Sequence, residues 1–240
     1  MKSAIFISAA ALLLCTSIRA ENESGSVERI EVTGTRISYR DLLETPAISI
    51  TKQGDYVLQA IMLVNDTRNK DARKLEIYAT VEKLLSRAGK QYQILQDDAF
   101  RTVLDRSYYQ VELQEDPKRP DTSKLRLQIR LDINGTPEQS EKLIRALRDF
   151  VKEAHKVGRT EIDLDADTSL GMNKPERYRY ELIEAISSDS QKIAGVLGAG
   201  CKVALDGLNS RIEWMRVGAT ELLLYVPYSM SVTDCSASSQ

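Results

Sequence analysis

Three aspartates at alternate positions, Asp163, Asp165 and Asp167 in DLDAD, have the spacing that opens a calcium-binding loop. Such a loop needs glycine at its sixth position for a sharp turn and a bidentate glutamate at its twelfth. Those places hold Thr168 and Lys174, so an EF-hand is excluded. On a regular strand the three carboxylates share one face and hold a divalent ion only weakly. His155 is the single histidine and falls in what reads as the last turn of a helix, beside Lys152 and Lys156. The helix dipole favours a cation there, so surface capping explains this residue better than acid–base catalysis. A Ser-His-Asp arrangement has no other histidine to use. With Cys201 and Cys235 as the cysteines after the first 20 residues, a zinc site is not expected. Gly195, Gly198 and Gly200 come at a helix end, whereas a phosphate cradle needs a helix N-terminus, so they read as C-cap and turn residues. Arg126 and Arg130 on the polar face of a strand have the charge to meet an acidic ligand, but a solvated sheet face accounts for them as well. No catalytic, cofactor-binding or metal-binding set emerges, and the residues read as those of a non-enzyme without a cofactor.

The chain has 240 residues, 42% hydrophobic and 28% charged, enough for one large or two small domains. Its 33 basic and 35 acidic residues are interspersed, giving a net charge of -2. Neither a nucleic-acid stripe nor a polybasic membrane patch is indicated. Residues 1–20 have the layout of a secretory signal: Lys2, an apolar run from Ala4 to Leu14, and cleavage expected after Ala20. Lipidation at Cys15 is disfavoured because Leu14 stands where a small residue is needed. The apolar run is short of the ~20 residues that span a bilayer, so no membrane span is expected after cleavage. The expected location is the periplasm.

The elements that position these residues follow from periodicity. Val27 to Thr33 alternates as an edge strand, after the spacer at 21–26. Tyr56–Val64 is apolar on both faces except Gln59, and reads as a central strand covered on both sides. A helix is expected over 70–88 with Leu75, Tyr78, Ala79, Glu82, Leu85 and Ala88 inward and Gly89 as its stop. In KLRLQIRLDI, Leu125, Leu127, Ile129, Leu131 and Ile133 alternate with polar residues, a strand with one buried face. Thr136, Pro137 and Gln139 form a capping box for a helix to about 156. TEIDLDA reads as a short strand, and a third helix starts near Pro175 with Asn173 and Glu176 as its cap pair. CKVALDGL, RIEWMRVG and TELLLYVPYSM read as three successive strands. The expected fold is α+β: a largely antiparallel sheet, three main helices, two strand-helix-strand units and a C-terminal three-stranded meander.

In an oxidising compartment a Cys201–Cys235 disulfide stabilises by about 3–4 kcal/mol on chain-entropy grounds. An up-down-up meander puts the two residues at opposite edges, so paired and unpaired states both stay open. Within this C-terminal region Trp214, Tyr225 and Tyr228 belong either to a core sheet or to an outward assembly surface.

The stretch ISITKQGDYVLQAIMLVNDT, the segment LQIRLDINGTPEQSEKLIRALRDFVKEA with GRTEIDLD after it, and RYRYELIEAISSDSQKIAGVLG resemble the SIMPL-domain family of exported bacterial proteins over about 46–230. The family's late helix has the form A-x-x-D-A-x-x-x-A-x-x-L-G. Here it is met by Ala185, Asp189, Ala194, Leu197 and Gly198, with Ser190 in place of the second alanine. The resemblance implies an envelope location and self-assembly, and it carries no catalytic residues. ERIEVTGTRISYRDLLETPAIS, at 28–49, is similar to the plug start of TonB-dependent receptors, and implies a TonB contact through Glu28–Ile37. The chain is too short for a plugged barrel of about 22 strands. The divisions expected are a signal peptide at 1–20, a leader segment with one strand at 21–45, the SIMPL-like region, and a flexible tail at 231–240. The expected function is contact with a protein partner or self-assembly in the envelope. The alternative is a small-ligand-binding or accessory module linked to TonB-dependent uptake.

Overall fold

Strict alternation in KLRLQIRLDI builds the middle of the molecule. The computed structural model describes residues 29–33, 45–98, 100–198, 200–233 and 235. Its strands are β1 (Arg29–Thr33), β2 (Ile50–Gln53), β3 (Tyr56–Asn65), β4 (Gln93–Gln96), β5 (Val103–Leu104), β6 (Gln114–Asp116), β7 (Arg119–Asp132), β8 (Glu161–Asn173), β9 (Lys202–Asp206), β10 (Glu213–Arg216), β11 (Glu221–Tyr225) and β12 (Ser229–Thr233). Its helices are α1 (Lys70–Ala88), α2 (Pro137–Lys152) and α3 (Arg179–Leu197). The main sheet runs β1-β8-β3-β7-β4-β5, with β6 on β7. All of the described pairings are antiparallel, so the fold is α+β as the element pattern implied.

β7 buries Leu125, Leu127, Ile129 and Leu131 beneath α1 and α2, and exposes Arg126 and Asp132. β3 lies between β8 and β7, sending Val57, Ile61 and Leu63 into the same core. Its other face is covered only at one end, where Tyr56 and Leu58 pack with Leu95; Ala60, Met62 and Val64 are half-buried. That end depends on Gly171, opposite Tyr56 in register. A Cβ on Gly171 would lie 2.2 Å from the Tyr56 ring, so glycine lets the ring cross the strand. Arg130 stacks on the same ring at 3.9 Å.

α1 has the expected bounds, with Asn69 accepting from the Ala72 amide at its start. Its inward stripe is Ile77, Val81, Leu84 and Ala88, and Leu75 is 68% exposed, which rotates the helix from the expected face. Buried Arg73 fixes that rotation by donating to Ser123 Oγ and the Thr67 carbonyl, both at 2.7 Å. The capping box of Thr136 and Gln139 starts α2 as expected. That helix ends at Lys152 rather than 156, because the chain turns onto α1: Glu153 meets Arg87 at 2.7 Å, and the Val157 amide donates to Thr80 Oγ1.

Glu76 ties this crossing together. One carboxylate oxygen accepts from Asn65 Nδ2 at 2.7 Å, Thr67 Oγ1 at 2.8 Å and the Arg159 amide at 2.9 Å. These donors, Asn65 foremost, hold its pKa below the ordinary glutamate value. The stabilisation is present at neutral pH and is lost as pH falls through the folded-state pKa. Glu76→Gln should therefore cost about 1–3 kcal/mol at neutral pH. The gap from the parent should narrow in acid, as urea midpoints from about pH 7 to about pH 3 would show.

β8 runs well beyond the short strand read from TEIDLDA, and Asn173 is its last residue. Asn173 therefore pairs with Arg29 and caps no helix. A 3-10 turn (Pro175–Tyr178) precedes α3, and Glu176 instead accepts from the Ile212 amide at 3.2 Å.

The C-terminal strands do not form the expected meander. β10 pairs with β11 and β11 with β2, whereas β9 pairs with β12 in a separate ladder. Pro227 breaks TELLLYVPYSM into β11 and β12, since proline cannot donate to a continuing ladder. The second half is thus free to return to β9. Ser231–Thr233, assigned by sequence to a flexible tail, are paired in β12.

Candidate functional site

A bulge in β8 separates the three aspartates. Opposite Gln59 and Ile61 the register shifts, from Thr168 to Leu164. Asp163 lies opposite Met62 on the open sheet face, and Asp165 meets Arg126 there at 3.2 Å. Asp167 instead lines a cavity under α2 with Thr168 and Arg216. The bulge overturns the shared face expected for these carboxylates. Among the described residues no cluster of three His, Cys, Asp or Glu side chains is placed to hold a metal.

The open face is an interlocked ionic surface. Asp97 accepts from Arg126 Nε at 2.7 Å, Arg101 Nη1 at 2.6 Å and Gln128 Nε2 at 2.7 Å. Arg130 pairs with Asp132 at 2.8 Å besides stacking on Tyr56. Both arginines singled out in the sequence are therefore engaged within the sheet, the solvated-face reading.

His155 is exposed and lies beyond the end of α2, so it caps no helical turn. Gly198 is the C-cap of α3, its amide donating to the Ala194 carbonyl at 3.2 Å. Cys201 and Cys235 are joined by a disulfide across a sequence separation of 34. The β9–β12 ladder explains it: Lys202 pairs with Thr233, which brings the flanking cysteines together. Trp214 and Tyr228 pack half-buried against the core, and Tyr225 donates to Glu213 at 2.9 Å, so these aromatics belong to the core sheet and its edge. Ala20 and the expected signal peptide lie outside the described residues. Of the stretch Glu28–Ile37, Arg29–Thr33 forms β1, an edge strand of the main sheet. No helix among the described residues is long and apolar enough to cross a membrane.

The apolar surface that sequence reading missed lies at the other edge of the sheet. Phe100 is 88% exposed, Val103 53% and Tyr108 57%. Local turns hold them outward. Asp98 accepts from the amides of Phe100 and Arg101 at 3.0 and 2.7 Å. Asp105 accepts from Ser107 Oγ and from the amides of Ser107 and Tyr108, and these donors, Ser107 Oγ foremost, lower its pKa. Tyr78 anchors the segment that follows, donating to the Val111 carbonyl at 2.7 Å. Val103 also lines a groove of about 420 Å³, together with Leu85, Ala88, Tyr92, Ile94 and Leu104 and the polar Gln93, Asp105 and Arg106. β5 pairs only with β4, leaving its outer side open among the described residues. The sequence reads as one long extended segment over about 101–114, whereas the structure keeps only Val103–Leu104 and Gln114–Asp116 as strand there and leaves Phe100 and Tyr108 in turns.

Compared with known protein families, curated proteins and solved structures, the chain matches none.

Proposed function

We propose that this chain is an exported, non-enzymatic, SIMPL-like protein of the periplasm that acts through protein contacts, with the β5 edge as the contact surface and a second copy as its occupant. The observation that carries the reading is the exposure of Phe100, Val103 and Tyr108 along one edge, 88% for Phe100, with Val103 also lining a groove. Large apolar side chains clustered at an exposed edge mark interaction sites more often than scattered ones do. A two-fold contact would bury the same apolar edge on both copies, the Phe100, Val103 and Tyr108 side chains of each meeting those of the other. The leader-like layout of residues 1–20 supports export, and the residue pattern at 185–198 supports the family reading.

Light scattering coupled to size exclusion tests the contact. The parent protein should run as a dimer or larger, and the Phe100→Ser/Val103→Lys double variant as a folded monomer. A parent that stays monomeric at high concentration refutes the self-contact, as does a double variant that still associates.

A further inference from the structure

Near the opposite edge of the sheet, a cavity of about 300 Å³ opens between α2, the β8 bulge and the turn after β10. Its walls carry Arg145, Arg148 and Arg216 together with Glu141 and Asp167. The bulge wall is held firmly. Gln59 Nε2 donates to the Asp165 carbonyl at 2.8 Å and Arg148 Nη2 to the Ala166 carbonyl at 2.6 Å, while Arg216 Nη1 donates to the Thr168 carbonyl.

Among the described residues neither Arg148 nor Arg216 has a close carboxylate partner. Arg216 is buried, and its partners are the Thr168 hydroxyl and the carbonyls of Thr168, Gly218 and Ala219, with no carboxylate in ion-pair contact among the described residues. Among the described residues Arg148 likewise lacks a carboxylate partner, and its Nε is buried without an acceptor. Arg145 meets Glu141 only at 3.6 Å, in an exposed pair. Asp167 is exposed and makes no hydrogen bond or contact ion pair among the described residues, and its charge partly offsets the burial of Arg216 from a distance. Gln59, whose amide braces the bulge, has a buried Oε1 that is also unpaired. Burying polar atoms without partners costs free energy, and here the buried leftovers are Arg148 Nε and Gln59 Oε1, while Asp167 stands exposed at the rim.

The geometry points to a binding site for a small zwitterion of the amino-acid class, its carboxylate taken by Arg148 in the field of Arg216 and its ammonium by Asp167. A guanidinium matches a planar carboxylate as a fork. Glu141 and Asp167 disfavour a multiply charged anion such as phosphate by like-charge repulsion, and Asp167 favours a ligand that brings its own cation. This site shares no residue with the β5 edge, so its failure and the failure of the self-contact are separable.

The test is calorimetric titration of the full protein with the standard L-amino acids, propionate, propylamine and inorganic phosphate as separate probes. At least one amino acid should saturate the protein one to one, while propionate and propylamine bind more weakly by about tenfold or more. Arg148→Gln should weaken the amino acid by about tenfold, and Asp167→Asn should weaken it while leaving propionate unchanged or improved. Thermal unfolding of each variant checks that it is folded. Should Arg148→Gln fail to fold, Asp167→Asn and Arg145→Gln keep the test decisive, the second expected to act less strongly because Arg145 is already paired. The inference is overturned if no amino acid saturates by about 10 mM. It also fails if propionate or phosphate binds as well as the amino acids, or if the folded variants bind like the parent.

Discussion

Replacing Cys201 and Cys235 together by serine, or reducing the protein, should lower its stability by about 3–4 kcal/mol. The crosslink spans 34 residues, and those residues include the β10–β11 hairpin that pairs with β2. Opening it releases a loop whose closure entropy the oxidised unfolded chain no longer gains. The effect should begin locally. Among the described residues β9 and β12 pair only with each other, and a two-stranded ladder is marginal in water on its own. Their neighbour is α3, against which β9 rests with Leu205 half-buried in the core. Hydrogen exchange should therefore rise first at residues 202–206 and 229–233, with the hairpin following at higher denaturant. Identical exchange in oxidised and reduced protein would show that the ladder stands without its crosslink.

Arg216→Leu should be comparably costly, at about 3–4 kcal/mol. The guanidinium gathers the Gly218 and Ala219 carbonyls of one turn and the Thr168 carbonyl of the β8 bulge. Leucine leaves those acceptors without a donor in a place where Thr168 and Arg216 are both buried. Arg216→Lys should recover little, because a single ammonium cannot span the same carbonyls. Urea midpoints for the three proteins decide the matter. A loss under about 1 kcal/mol for the leucine variant would mean that water reaches the carbonyls instead.

Local chemistry was legible in the sequence wherever one residue answers to its near neighbours. The capping box at Thr136 and the stop at Gly89 depend on contacts within a few positions, and the alternation of β7 repeats often enough to mark its buried face; the structure places each as read. The failures lie where a distant residue decides. Leu75 looks inward by period, but Arg73 bonding to Ser123 turns α1 the other way. The three aspartates share a face only on a strand without a bulge, and the bulge is braced by Gln59 from β3. Sequence showed Cys201 and Cys235 as neighbours of strands, but not which strands would pair. One proline, Pro227, redirected the chain and changed that answer. The cavity around Arg148 joins a helix, a bulge and a turn, so no sequence window contains it.

The position of β1 bears on how the protein tolerates trimming. Arg29–Thr33 shields the outer backbone of Ser169–Asn173 in β8, and the chain reaches this place from well before β2. Proteolysis beyond Thr33 would strip that cover and leave a row of bare amides and carbonyls along Ser169–Asn173 of β8. Such a nicked molecule would be prone to swap strands with its neighbours and to precipitate, having also lost Val32 from the rim of its core.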